Sequence, residues 1–266
     1  MKPDRKTLIV GNWKMHLNVH QSSLLVHRLS ERVKIHRNIE VVLAPSVLAL
    51  QPLSVELDRR KFRLCAQDAY YKDDGPYTGE VSFAMLSDLV HYAIVGHSAR
   101  RIYFNETLEI VRDKVGAAVR NGIVPIICVG ETKDERKAGE TKQVIHDQIT
   151  SALMNLTSRD IENIVIAYEP VWAITTFDGE IARPADVEKA VAYIRYQINE
   201  LYGSKAAERV RVLYGGSVDN NDVAGYLKVK GVDGALVGAA SLNYEQFAGI
   251  IDTAYQLQTK PAYGRD

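Results

Sequence analysis

Eight short apolar runs recur along the chain, and each stops at a glycine, a proline or a polar residue. They are Thr7 to Val10, Ile39 to Ala44, Phe62 to Ala66, His91 to Val95, Ile123 to Val129, Ile164 to Tyr168, Val210 to Tyr214 and Val232 to Val237. A strand with one wet face alternates apolar and polar residues. A continuous apolar run instead marks a strand covered on both faces. Helix-length segments separate nearly all of these runs. Leu24, Leu25, Leu29 and Val33 fall near helical spacing, as do Leu108, Val111, Val115 and Val119. Ile145, Ile149, Leu153 and Leu156 make a third stripe, and Val187, Val191, Ile194, Ile198 and Leu201 a fourth. Alternating β and α units with buried strands call for a parallel sheet covered by helices. Eight units fit an α/β chain closed as a (β/α)8 barrel, with its active site in the loops at the strands' carboxyl ends. An open, doubly wound sheet is the runner-up, and no GxGxxG follows the first run to support it.

The 266 residues would allow two domains, but one (β/α)8 barrel commonly takes this length, so 1–266 reads as a single domain. The formal net charge is zero, which leaves no electrostatic footprint for nucleic acid or an anionic membrane. The apolar run before Gly11 is too short for a signal-peptide core or a membrane span. Cys65 and Cys128 stand far apart in apolar runs, with no metal or redox spacing. A reduced, cytoplasmic protein is the expectation. The seven histidines make no metal-ligand motif, so no metal is expected.

Chemistry-bearing residues collect just past the runs. Asn12 and Lys14 follow the first, His97 the fourth and Glu169 the sixth. Glycine turns follow the last two, Gly215-Gly216-Ser217 and Gly238-Ala239. Pro170 stops the sixth strand directly after Glu169, leaving the acid beside Trp172 and Ile174. A carboxylate in a dry setting is in general a stronger base. Proton abstraction beside a carbonyl needs a base at carbon, a donor at oxygen and positive charge for the enediolate. Glycine turns let backbone N–H groups approach an anion, and a short helix starting near Ala240 would aim its positive end there. Loops after the last two barrel strands often hold phosphate. A phosphorylated carbonyl compound is the inferred substrate.

Seven motifs complete the pattern: GNWKM at Gly11–Met15, AQD with GPYTGE between Ala66 and Glu80, VGHS at Val95–Ser98, CVGET at Cys128–Thr132, AYEPVWAI at Ala167–Ile174, YGGSV at Tyr214–Val218 and VDGALVGAASL at Val232–Leu242. In this order the chain resembles the triosephosphate isomerase family over nearly its whole length. The resemblance implies a TIM barrel and a cofactor-free aldose–ketose isomerase of glycolysis and gluconeogenesis. It implies that Glu169 shuttles a proton between two carbons. A neutral His97 polarises and relays protons at oxygen, and Lys14 stabilises the enediolate, with Asn12 positioning it. It places phosphate on Ser217, Gly238, Ala239 and the loop after Trp172, where Thr175 stands, and makes that loop a water-excluding lid. It also implies a homodimer, in which a loop carrying Tyr77, Thr78 and Gly79 reaches the partner's site.

The chain departs from the family's pattern in places. Ala99 stands where an acid follows GHS, which removes a carboxylate expected near Lys14, and reduced or altered activity is the expectation. The stretch from Trp172 to Pro184 is two residues longer than usual, with Thr175 and Phe177 replacing glycines. A longer lid resembles related isomerases of tetrulose phosphates. Ala239 replaces a glycine and would crowd the phosphate if its backbone needed positive φ. Asn105 replaces another. Interconversion of dihydroxyacetone phosphate and glyceraldehyde 3-phosphate is the first expectation. A four-carbon ketose phosphate such as erythrulose phosphate is the alternative substrate. A sugar-phosphate-binding homologue with weak turnover is the alternative outside catalysis.

Overall fold

A computed structural model describes residues 5–174 and 180–259. Eight parallel strands close into a barrel in sequence order. They are β1 Thr7–Asn12, β2 Ile39–Ala44, β3 Phe62–Ala66, β4 Tyr92–Val95, β5 Val124–Val129, β6 Val165–Tyr168, β7 Arg211–Tyr214 and β8 Gly234–Val237. Strand β8 returns to β1 with Leu8 opposite Gly234 and Gly11 opposite Val237. Closure there demands a glycine, because a Cβ on Gly234 would sit 1.8 Å from the Leu8 carbonyl oxygen. The α/β barrel expected from the apolar runs is therefore the observed fold.

The continuous apolar runs are explained by two cores that share the strands. Leu8, Val10, Val42, Cys65, Ile94, Ile126, Cys128, Val165, Leu213 and Leu236 form one buried cluster. Their strand neighbours Ile9, Val41, Leu43, Leu64, Ala93, Val95, Ile127 and Ile166 join the larger cluster that the helices cover. Successive side chains of a strand point to opposite faces, so both faces have to be apolar.

Boundaries shift by a residue or two where hydrophobicity outlasts pairing. Ile123, Ile164 and Val210 are buried but precede their strands. β1 runs on through Gly11 to Asn12, which puts Asn12 at the strand's end. Two of the longer helices carry no label in the sequence reading. Val47–Glu56 contains Pro52, which masks it as a helix. Tyr244–Thr259 closes the described chain and buries Phe247, Ile250, Ile251 and Ala254 against the barrel. The four helical stripes named from spacing lie in helices Val19–Arg32, Leu108–Arg120, Thr141–Leu153 and Pro184–Tyr202, Val33 and Leu156 falling just beyond their ends. Among the described residues no helix is long and apolar enough to cross a membrane.

Candidate active site

The carboxyl ends of β1, β4, β6, β7 and β8 surround a cavity of about 350 Å³. Asn12, Lys14, His97, Glu169, Ser217, Gly238 and Ala239 all line it. Residues from widely separated parts of the sequence thus meet at one rim, where parallel strands end side by side.

Lys14 is placed by a strained turn. Its φ is +51°, in the left-handed region that side chains other than glycine seldom occupy. Asn12 Oδ1 accepts the Lys14 main-chain N–H at 3.1 Å. Gln67 Nε2 donates to the carbonyls of Lys14, at 2.7 Å, and Ala44, at 2.9 Å. The turn is therefore held from both sides. The Lys14 ammonium is pushed below its ordinary pKa by burial, and the charge of Glu169 works in the opposite direction. Sequence reasoning placed Gln67 in the AQD motif but gave it no role, because that role is visible only once β3 lies beside β2.

His97 caps the helix Ser98–Tyr103. Its Nδ1 accepts the main-chain N–H of Ala99 at 3.1 Å. A ring nitrogen that accepts carries no proton, so the neutral ring bears its hydrogen on Nε2. Burial lowers the ring's pKa, with Glu169 opposing and Lys14 adding to the shift. Nε2 lies 3.1 Å from Glu169 Oε1.

Glu169 is 2 % exposed. Its Oε2 accepts the main-chain N–H of Ser98 at 2.9 Å, so base and imidazole meet one short helix. Gly215 leaves the room the carboxylate needs, and its main-chain N–H donates to the Tyr168 carbonyl at 2.8 Å.

A buried charge cluster backs that helix. Lys114 Nζ lies 2.7 Å from Asp68, and Arg100 Nε lies 2.9 Å from Asp68. Both cations also pair with Glu106. Burial works to raise the Glu106 pKa, but its bonds to Lys114 and Arg100 outweigh that and hold it below the ordinary carboxylate range. The cluster is invisible in sequence, because its four charges come from four separate segments.

Beyond Glu169, Trp172 donates its indole N–H to Glu131 at 2.9 Å. Glu131 also accepts from Tyr168. The Arg136 guanidinium stacks 4.0 Å from the Trp172 ring centroid. Glu180 N donates to Trp172 O at 3.0 Å, which brings the two ends of the 173–179 stretch together. Thr175 and Phe177 lie outside the described residues. Ile174 and Ile181, on either side of them, line the cavity.

Ala239 opens the short 3-10 turn Ala239–Leu242 with a φ outside the left-handed region, so its methyl adds no backbone strain. The helix expected near Ala240 is only this turn. Asn105 does adopt φ +53°, a conformation that asparagine tolerates well. Tyr77, Thr78 and Gly79 are exposed and do not line this chain's cavity. Ala99 is half-buried, beside His97.

An acid, an imidazole with its proton on Nε2 and an ammonium, facing backbone turns suited to phosphate, define a barrel isomerase that moves protons between neighbouring carbons of a sugar phosphate. The sequence model of the family described as "Triosephosphate isomerase" matches residues 7–254, and the chain belongs to that family. The triosephosphate isomerase of Dehalococcoides mccartyi strain BAV1 is 39 % identical, the match covering 96 % of this chain and 99 % of that protein. Those of Clostridium tetani and Citrifermentans bemidjiense are 41 % and 42 % identical. Each of the two matches covers 93 % of this chain, with 96 % and 98 % of the relative.

Proposed function

We propose that this chain interconverts dihydroxyacetone phosphate and D-glyceraldehyde 3-phosphate through an enediolate, as a step of glycolysis and gluconeogenesis. Glu169 takes the proton from the carbon beside the carbonyl and returns it to the neighbouring carbon. His97 Nε2–H donates to the carbonyl oxygen and relays protons between the two oxygens. The Lys14 ammonium stabilises the charge that develops on the enediolate, and Asn12 holds the Lys14 turn. Ser217, Gly238 and Ala239 hold the phosphate. The observation that carries this reading is the His97 ring, buried and accepting at Nδ1 with Nε2 beside Glu169. A neutral donor of that kind polarises a carbonyl without first releasing a proton to solvent.

The whole chain, 1–266, acts as one domain, works in the cytoplasm and pairs as a homodimer. The pairing reading draws support from large apolar side chains left uncovered after β1, after β2 and between β3 and β4, namely Met15, 97 % exposed, Leu48, 75 %, and Met85, 66 %. Side chains of this kind are what a protein interface covers. The four-carbon alternative rested on a stretch that includes 175–179, and no described residue favours it over the triose.

The testing experiment is Glu169→Gln, with turnover of triose phosphate and binding of inorganic phosphate measured on one preparation. Loss of a general base lowers turnover by about 10²- to 10⁴-fold and leaves phosphate binding in place. Unchanged turnover would sink the mechanism. The dimer is tested by sedimentation of the dilute protein, where a stable monomer contradicts it.

A further inference from the structure

Ile181 lines the substrate cavity although it is 78 % exposed, so little packing of its own fixes its position. Its place is inherited from Ala182, which is 1 % exposed. The Ala182 carbonyl accepts the hydroxyl of Tyr226 at 2.8 Å, in a buried hydrogen bond that crosses 44 residues of sequence. Tyr226 belongs to the helix Val223–Leu227, and its ring stacks on Tyr214 with centroids 4.0 Å apart and planes at 14°. Tyr214 leads directly into Gly215-Gly216-Ser217. Its hydroxyl fills the space a side chain on Gly216 would need, at 2.3 Å from where that Cβ would stand. Ser217 N in turn donates to Ala173 O at 3.2 Å. Ala173 and Ala182, the one before and the other after residues 175–179, are therefore each tied to the stretch between Ser217 and Tyr226.

We propose that Tyr226 is a positioning residue for substrate binding. Its hydroxyl fixes the backbone behind Ile181, and its ring backs the strand end that carries the anion turn. A buried carbonyl has to be paired, and Tyr226 supplies the donor. Without that donor, the wall at Ile181 has to be ordered when ligand arrives, and that ordering weakens binding. Tyr226 touches neither the base nor the imidazole, so the loss falls on ground state and transition state alike. Such a loss raises KM and leaves kcat in place.

The inference rests on the sugar-phosphate reading of the cavity, and the test separates the two. Tyr226→Phe keeps the ring and removes the hydroxyl. Its KM for triose phosphate and its Kd for inorganic phosphate should each rise by about three- to tenfold, the scale of one lost hydrogen bond, with kcat changed by less than about twofold. Ile181→Ala, an exposed change that leaves the core intact, should raise KM alone in the same way and keeps the test decisive if the tyrosine variant does not fold. Unchanged KM and Kd in folded Tyr226→Phe, or a fall in kcat with KM unmoved, would overturn the proposal. If the wild-type chain fails to turn over triose phosphate, the isomerase reading falls and the phosphate Kd of Tyr226→Phe judges this inference by itself.

Discussion

Gly215 and Glu169 compete for one space. A Cβ built on Gly215 would stand 2.9 Å from Glu169 Cγ and 3.2 Å from the Tyr168 carbonyl oxygen. The glycine just past β7 therefore shapes the seat of the Glu169 carboxylate just past β6.

Gly215→Ala should accordingly act on the chemistry. The methyl pushes the Glu169 side chain from its seat, and a misplacement of about 1 Å costs on the order of 10²-fold in rate. Steady-state kinetics should show kcat falling by that order. Full turnover in a folded Gly215→Ala protein would mean that the carboxylate has room to spare.

The buried His97 ring binds its proton less readily than a ring in water, chiefly through burial. Its NMR titration should show no step at the ordinary imidazole pKa of about 6.5, with the midpoint lying lower. The sign for stability follows from linkage. The unfolded chain takes up this proton as pH falls through about 6.5, while the native ring stays neutral to lower pH. His97 therefore contributes stability that is present above that pH and is lost as pH falls toward the native value. Thermal unfolding followed from pH 8 to pH 5 should show a shallower acid loss in His97→Gln than in the wild type.

Ala99 offers its N–H to His97 and no carboxylate to the site. Ala99 is half-buried and bonded to His97, so Ala99→Glu brings a carboxylate next to a residue that lines the cavity. An added carboxylate that favours the ammonium form by about 1 kcal/mol should raise kcat/KM roughly fivefold. No change would show that this chain orders Lys14 without an acid at position 99, through the grip of Asn12 and Gln67 on its turn.

Lys114 is 3 % exposed and faces both Asp68 and Glu106. Lys114→Met leaves the buried Glu106 and the half-buried Asp68 to Arg100 alone. Removing one partner of a buried ion pair costs about 3–5 kcal/mol, because the remaining charge stays dry. Urea unfolding should report a loss of that size. A loss below about 1 kcal/mol would show that water reaches the cluster.

Much of this protein is legible in its residues. The eight apolar runs call for a parallel sheet covered by helices, because only a strand covered on both faces carries no polar alternation, and eight such units fit a closed ring that gives each strand two neighbours. The positions of Asn12, Lys14, His97, Glu169 and Ser217 just past those runs determine that they share a rim, since parallel strands of a barrel all end on the same side. What the order of residues does not carry is contact between distant segments. The grip of Gln67 on the Lys14 turn, the meeting of Ser98 with Glu169, the Asp68–Arg100–Glu106–Lys114 cluster and the Tyr226 bond to Ala182 join residues that no periodicity relates. Ala239 and Asn105 look alike as replaced glycines, yet only Asn105 takes a positive φ. Backbone torsion and side-chain contact are set when the loops settle onto the barrel, so these were decided by the tertiary structure alone.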